Sequence, residues 1–151
     1  MIKILAIGLR HDKDLVASIE NYQKRLRAPY NITWQLLVNS KKQNNEARID
    51  ETDQLMKQIK DDETVILLDE RGIMISSVQL AQALNVSFNQ SKKITIVIGG
   101  AYGVSPALHS RAQHVVALSR LVFPHQIVRL LVAEQLYRAQ EINFGGMYHH
   151  R

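Results

Sequence analysis

Apolar positions along the chain follow two different spacings. Five short runs are apolar and rich in β-branched residues, and between them lie longer segments in which apolar residues recur every three or four positions. The runs predict strands and the longer segments predict helices. We expect strands at residues 2–8, 31–38, 64–69, 93–98 and 114–118. We expect helices at residues 12–27, 46–60, 76–90, 106–112 and 125–143, and in the second of these Ile49, Leu55, Met56 and Ile59 should face the core.

Strict alternation of strands and helices predicts an α/β protein. Its sheet should be mainly parallel, with helices packed on both faces. The length of 151 residues suits one domain, residues 1–151, and no internal repeat or long linker divides it. A soluble, cytoplasmic protein is the expectation, because no apolar run approaches the ~20 residues of a membrane span and the N-terminus lacks a cleavage site.

The chain contains no cysteine. Disulfides, zinc–thiolate sites and cysteine nucleophiles are therefore excluded, and no metal is expected. Methylation at C5 of a uracil ring usually needs such a nucleophile. If the protein modifies a pyrimidine, a ring nitrogen or a sugar oxygen is the better target.

Charge is distributed unevenly along the chain, whose net charge is +5. Residues 71–151 contain eight Lys or Arg and only two acids, and five of the six histidines. An anionic partner such as nucleic acid would favour this half, although a basic solvated surface gives the same pattern.

Ligands of parallel sheets bind beyond the carboxyl ends of the strands. Three such ends are conspicuous: residues 67–72, the glycine segment 98–103, and residues 118–125. Glycine allows the backbone to approach a ligand closely, but a glycine pattern of this kind is more often a tight turn between strand and helix. Neither a dinucleotide fingerprint nor a P-loop is present, which disfavours nicotinamide enzymes and nucleotide hydrolases.

The last helix is apolar on most of its sides, so it should be buried or cover a second copy of the chain. After two glycines the chain ends in Tyr148, His149, His150 and Arg151. Chain ends are usually frayed, but these side chains could also contact a nucleobase and its phosphates.

The combined motifs are far more specific than any single one. Five motifs occur in this order: Leu68-Asp69, Ile98-Gly99-Gly100 with Gly103, the run Leu118 to Arg129, Glu134 to Ala139, and Tyr148-His149. In this combination the whole chain resembles the RlmH family, small SPOUT-class methyltransferases of the bacterial ribosome.

That resemblance implies an α/β fold with a trefoil knot, S-adenosylmethionine as methyl donor, and a homodimer formed through the C-terminal helix. It implies methylation of N3 of a pseudouridine in helix 69 of 23S ribosomal RNA, on the assembled ribosome. The implied cofactor residues are Leu68, Gly99, Leu118, Ser119, Arg120, Leu121, Val122 and Phe123. The implied catalytic residues are Tyr148, His149 and Arg129, and contacts to RNA are expected from Arg120, His150 and Arg151.

The residues leave the proton chemistry open. His149 could accept the N3 proton, because imidazole titrates near neutral pH. Alternatively, Arg129 or Arg151 could stabilise the anionic ring. Two other functions remain: a catalytically silent RNA-binding or assembly factor on the same fold, or a SPOUT enzyme that methylates a ribose 2′-oxygen.

Overall fold

The computed structural model describes residues 1–150, which form five strands and five helices in strict alternation. The strands form one sheet in the order β2-β1-β4-β3-β5, and every pairing is parallel. The predicted α/β class is confirmed. The strands are β1 (Ile2–Ile7), β2 (Ile32–Leu37), β3 (Glu63–Met74), β4 (Lys93–Ile98) and β5 (His114–Ala117).

Helices cover both faces of the sheet. One face carries α1, α3 and α5, where α5 packs on both α1 and α3, and the other carries α2 and α4. The helices are α1 (Val16–Gln23), α2 (Asn44–Lys57), α3 (Ser77–Asn89), α4 (Pro106–Arg111) and α5 (His125–Asn143).

The two cores follow from side-chain alternation in the central strands. In β4, Ile94, Ile96 and Ile98 face α3 and α5, whereas Val97 faces α2 and α4. All four side chains are buried. Because successive side chains of a strand point to opposite faces, an uninterrupted apolar run can fill two cores at once.

The third strand is longer than predicted. The apolar run suggests an end at residue 69, but β3 continues to Met74 and pairs with β5 a second time. Its register shifts between Leu68 and Ile73, so four residues bulge out of the ladder. The polar segment 69–72 therefore interrupts the strand without ending it.

Two helix predictions also need correction. The first helix is confined to Val16–Gln23, since turns take up the residues predicted on either side. In α2, Ile49 is 47% exposed and the buried positions include Glu51 and Thr52. These polar side chains accept hydrogen bonds from the backbone N–H groups of Ser40 and Ser105, which hydrophobic periodicity does not reveal.

The start of α3 and the whole of α5 agree with the prediction. The Ser76 hydroxyl accepts from the backbone N–H of Gln79, and the side-chain oxygen of Gln79 accepts from the backbone N–H of Ser76, forming a capping box. None of the helices within residues 1–150 has the length and apolar character needed to cross a membrane.

Gly72 is the position in the β3 bulge where a side chain has no room. A Cβ atom there would lie 2.5 Å from the carbonyl oxygen of Val115 in β5. We expect Gly72→Ala to lower the free energy of unfolding by about 1–3 kcal/mol, because backbone must shift to accept it. Urea denaturation checks this, with Ile73→Val, at an exposed neighbour, changing stability by less than about 0.5 kcal/mol. An unchanged midpoint for Gly72→Ala would contradict the bulge geometry.

Candidate functional site

A cavity of about 800 Å³ opens at the carboxyl ends of β3, β4 and β5. Three loops line it, as expected from the positions of the strand ends. They are the β3 bulge at residues 68–71, the glycine loop at residues 98–104 and the segment 118–125 that leads into α5.

The glycine loop is held against α2. Arg48 donates from Nε to the carbonyl of Tyr102 (3.0 Å), and the N–H of Gly103 donates to the carbonyl of Gly100 (3.0 Å). Gly103 has φ +75°, a conformation that favours glycine. A Cβ atom on Gly100 would lie 2.6 Å from Oε1 of Glu51, so a larger residue there would have to displace this buried carboxylate of α2.

The segment 118–123 forms an apolar wall of the cavity. Leu121 and Val122 are 72% and 75% exposed, although their side chains are hydrophobic. Ser119 accepts from the N–H of Leu121 (2.9 Å) and so shapes the turn. Arg120 is exposed and is the one residue of this segment outside the lining.

Charged side chains occupy the β3 side of the cavity. Asp69 is almost buried and accepts from Arg71 through both carboxylate oxygens, at 3.1 and 3.0 Å. Nε2 of His109, in α4, lies 3.0 Å from Oδ2 of Asp69. Burial alone would raise the pKa of Asp69, but hydrogen bonds from Arg71 and the nearby positive charges hold that pKa below its ordinary value.

Arg129 lies away from the cavity lining and is completely buried. Its guanidinium donates to the carbonyls of Ile7, Gly8 and Arg10 at 2.8–2.9 Å. Nη1 is also 3.2 Å from Nδ1 of His11. With no carboxylate among these partners, burial lowers the pKa of Arg129. The side chain thus ties the carboxyl end of β1 to α5.

His125 begins α5 and lines the cavity. Burial, together with the charge of Arg129 one turn further along the helix, lowers the pKa of His125 from its ordinary value of 6.5. His11 experiences the same two effects, and its pKa is lowered as well. Both imidazoles are therefore neutral at pH 7.

The C-terminal residues fold back onto the second half of α5. The Tyr148 hydroxyl donates to Glu134 (3.1 Å), and the guanidinium of Arg138 lies 4.7 Å from the centre of the Tyr148 ring. Nδ1 of His149 lies 3.0 Å from Nη1 of Arg138 and, because arginine only donates, acts as the acceptor. Burial and hydrogen bonds with Tyr22 and Glu134 raise the pKa of Tyr148, so its phenol keeps its proton.

Most of the predicted site residues fall into two groups, and Arg120 and Arg129 belong to neither. Around the cavity the structure brings together Leu68, Gly99, Leu118, Ser119, Leu121, Val122 and Phe123. Tyr148 and His149 form a second group near Glu134. The last residue of α5 that lines the cavity is Val128, and Glu134 lies six residues, or about 9 Å, further along the helix. Exposed His150 is adjacent to that second group, and Arg151 lies outside the described residues.

Sequence reasoning missed the charged part of the lining. Arg48 carries no signal, because it is one basic residue on a polar helix far from any strand end. Asp69 and Arg71 stood in a segment already singled out, and their spacing of two residues allows the hydrogen bond between the Asp69 carboxylate and the Arg71 N–H (2.8 Å). His109 reaches them only through the packing of α4.

Comparison with known proteins decides the family. A family model described as "Predicted SPOUT methyltransferase" matches residues 1–149. The chain belongs to the SPOUT methyltransferase family. It is 34% identical to the "Ribosomal RNA large subunit methyltransferase H" of Caldicellulosiruptor bescii over 154 residues, covering 99% of each chain. The protein of the same name from Prochlorococcus marinus is 40% identical over 147 residues, covering 97% of this chain and 94% of that one.

Two solved structures of low sequence identity share the fold of this chain. A probable methylase family protein from Haemophilus influenzae Rd KW20 superposes with a TM-score of 0.54 at 16% identity, covering 95% of this chain and 66% of that chain. TrmJ from Z. mobilis ZM4 gives a TM-score of 0.54 at 12% identity, covering 93% and 70%.

SPOUT methyltransferases use S-adenosylmethionine, and the cavity suits it. A volume of about 800 Å³ lies within the usual range for small-molecule sites. The lining combines exposed apolar side chains, Leu121 and Val122, with the charged Asp69 and Arg71, so it can accept a ligand that has both apolar and charged parts. Within residues 1–150 no group of three His, Asp or Glu side chains could hold a metal ion.

The lowered pKa of His125 predicts how stability depends on pH. Because the pKa of His125 is lower in the folded protein, this imidazole is protonated more readily in the unfolded chain, whose His pKa is 6.5. Stability is therefore lost as the pH falls from about 6.5 through the lower pKa of the folded state. We expect His125→Gln to reduce this loss, measured as free energy of unfolding in urea between about pH 8 and pH 5. Part of the dependence should persist, because His11 titrates in the same direction. An identical slope in the variant and the parent would show that His125 is not protected from protonation.

Proposed function

We propose that this protein transfers the methyl group of S-adenosylmethionine to RNA of the large ribosomal subunit, at N3 of a pseudouridine in helix 69. The whole chain, residues 1–151, acts as one catalytic domain. The trefoil knot, the homodimer and a cytoplasmic location belong to the same proposal. The relatives named above, matched over nearly their full length, support the RNA substrate.

One observation carries the proposal. Seven residues implied as cofactor ligands, drawn from three distant segments of the chain, line a single open cavity at the carboxyl edge of the sheet. An RNA-binding factor without activity would have no need of such a cavity. Bound there, S-adenosylmethionine supplies an electrophilic methyl group. The protein contributes chiefly by orienting donor and acceptor, since in-line displacement depends on alignment.

The N3 proton must leave the pseudouridine during transfer. Tyr148 is a poor acceptor, because its raised pKa keeps the phenol protonated. We propose His149 for this step, with Tyr148 stacking on the base. His149 must then exchange its contact with Arg138 for one with the RNA. Arg129 acts as a positioning residue, since its Nη1 and Nη2 groups donate to backbone carbonyls at and after the end of β1.

The distance between the tail and the cavity of the same chain favours a dimer. Arg138, which holds His149, is about 15 Å along α5 from Val128 at the cavity wall. In a dimer formed through α5, the tail of one copy can complete the cavity of its partner. Exposed apolar side chains on this helix and just beyond it, Ile127, Phe144 and Met147, support such an interface.

Contacts to RNA are assigned to exposed basic residues around the site. Arg120 stands on the wall segment with its side chain outside the cavity, and His150 is exposed next to His149. We propose that both contact rRNA phosphates, together with Arg151. Such contacts position the substrate without reading its sequence.

Gly99→Val tests the cavity assignment. A Cβ atom on Gly99 already lies 3.0 Å from Cγ1 of buried Val104, so the added methyl groups must displace the loop. We expect calorimetric binding of S-adenosylmethionine and methylation of ribosomes lacking the modification both to fall below detection, with an unchanged far-UV spectrum. Ala107→Val, on the exposed side of α4, is the matched control and should bind normally.

Binding within a few-fold of the parent in Gly99→Val would place the cofactor elsewhere. Binding without methyl transfer by the parent protein would favour the silent factor, and a methylated ribose would favour the 2′-O enzyme.

Mixing two inactive variants tests the shared site. A chain ending at Met147 keeps its cavity but lacks the tail, and Gly99→Val keeps the tail but lacks the cavity. Each should be inactive alone, and co-refolded mixtures should regain up to about a quarter of the parent activity, since half of the dimers are mixed and each has one complete site. Sedimentation should show dimers in every sample. Dimers without recovered activity would mean that the tail serves the cavity of its own chain. Activity of the truncated chain alone would mean that the tail is dispensable.

A further inference from the structure

Charges are segregated within the cofactor cavity. Arg48, Asp69, Glu70 and Arg71 lie on the side formed by α2 and the β3 bulge. The lining residues of the segment that leads into α5, on the other face of the sheet from α2 and α4, are uncharged and include Leu118, Leu121, Val122, Phe123 and Pro124. The cavity therefore has a charged end and an apolar end.

Arg71 is held in one orientation by its neighbours. Its Nε and Nη2 groups donate to the two carboxylate oxygens of Asp69, and its backbone N–H donates to the same carboxylate. The Asp69 side chain is 8% exposed, whereas that of Arg71 is 62% exposed. Within residues 1–150, Nη1 of Arg71 makes no hydrogen bond. A fixed guanidinium thus presents an unused edge at the cavity.

His109 supports this pair from behind. Its Nε2 atom lies 3.0 Å both from Oδ2 of Asp69 and from Nη2 of Arg71. A protonated Nε2 donates to Asp69, and an unprotonated one accepts from Arg71, so the ring holds one partner in either state. Either contact keeps the guanidinium in place.

Arg48 and Glu70 complete the charged end. Arg48 is anchored through Nε to the carbonyl of Tyr102, which leaves its two Nη groups without a partner in the described part of the chain. Glu70 is exposed and lines the same cavity. Two guanidinium groups and two carboxylates give this end no net charge. A ligand with both charges fits it better than a polyanion such as an RNA backbone.

S-adenosylmethionine has two chemically different ends. One is a purine, which favours apolar surface, and the other is an α-amino acid with a carboxylate and an ammonium group. We propose that Arg71, positioned by Asp69, binds the methionine carboxylate of the cofactor, with Arg48 as a second donor and Glu70 facing the ammonium group. The adenine then lies against residues 118–123. This assignment rests on the proposed cofactor cavity and adds the direction in which the cofactor lies.

Two ligands that differ only at the amino-acid end test the proposal. S-adenosylhomocysteine contains that end, and 5′-methylthioadenosine lacks it while keeping the adenine, ribose and sulfur. In calorimetry on the full-length protein, Arg71→Gln should weaken the affinity for S-adenosylhomocysteine roughly ten- to a hundredfold, as expected for a lost charged hydrogen bond. The affinity for 5′-methylthioadenosine should change less than twofold. Asp69→Asn, which loosens Arg71 without removing it, should give a smaller loss with the same selectivity. Arg27→Gln, at an exposed arginine outside the cavity, should leave the affinity for both ligands unchanged.

Other outcomes overturn the assignment. If Arg71→Gln weakened the affinity for both ligands equally, Arg71 would shape the cavity without contacting the carboxylate. Unchanged affinity for both, with a higher KM for ribosomes, would make Arg71 a phosphate contact. If the parent protein bound neither ligand, the cavity itself would be misassigned, and the proposed function would fail together with this inference.

Discussion

The parallel arrangement of all five strands is the constraint on which the site depends. Parallel strands place every carboxyl end at one edge of the sheet, and the order β2-β1-β4-β3-β5 makes the ends of β4, β3 and β5 neighbours. Three loops that are distant in sequence therefore meet around one cavity. An antiparallel pairing of any of these strands would send one loop to the opposite edge. The bulge in β3 adds to this geometry by placing Asp69 and Arg71 at the cavity while the strand continues beside β5.

Helix α5 connects the parts of the molecule that the proposed reaction needs. Its first turn contributes His125 to the cavity, and Arg129 in the next turn binds the carbonyls at the end of β1. Gly8 is required at this contact, because it has φ +111° and a Cβ atom would lie 3.0 Å from Nη2 of Arg129. The second half of the helix holds the tail through Glu134 and Arg138. One rigid element thus relates the cofactor cavity to the residues proposed to act on RNA.

The uneven charge of the chain has different consequences at different places. The excess of basic residues after position 70 suits an RNA partner, but the cavity itself combines arginines with carboxylates. Arg129, which is completely buried, donates to backbone carbonyls from both Nη groups without any carboxylate partner, and within residues 1–150 its Nε makes no hydrogen bond. Net charge therefore describes the outer surface of the protein, and the chemistry of each site depends on which groups folding brings together.

Much of the fold follows from local sequence signals. Apolar runs of β-branched residues between amphipathic segments determine five strands and five helices, and Pro124 and the glycines after Asn143 delimit α5. The order of motifs along the chain was specific enough to indicate the family and most of the cavity lining. Such signals are local, because strand propensity, helix caps and turn residues act within a few positions.

Tertiary structure decided what depends on contacts between distant residues. The burial of Glu51 and Thr52 reflects backbone N–H groups supplied by other segments, and the continuation of β3 reflects pairing with β5. Arg129 contacts Gly8 at the end of β1, more than a hundred positions away in the sequence. His109 likewise contacts Asp69 and Arg71 from a distant helix. No periodicity encodes such pairs, because the hydrogen bonds that stabilise them exist only once the sheet has formed and the helices have packed on it.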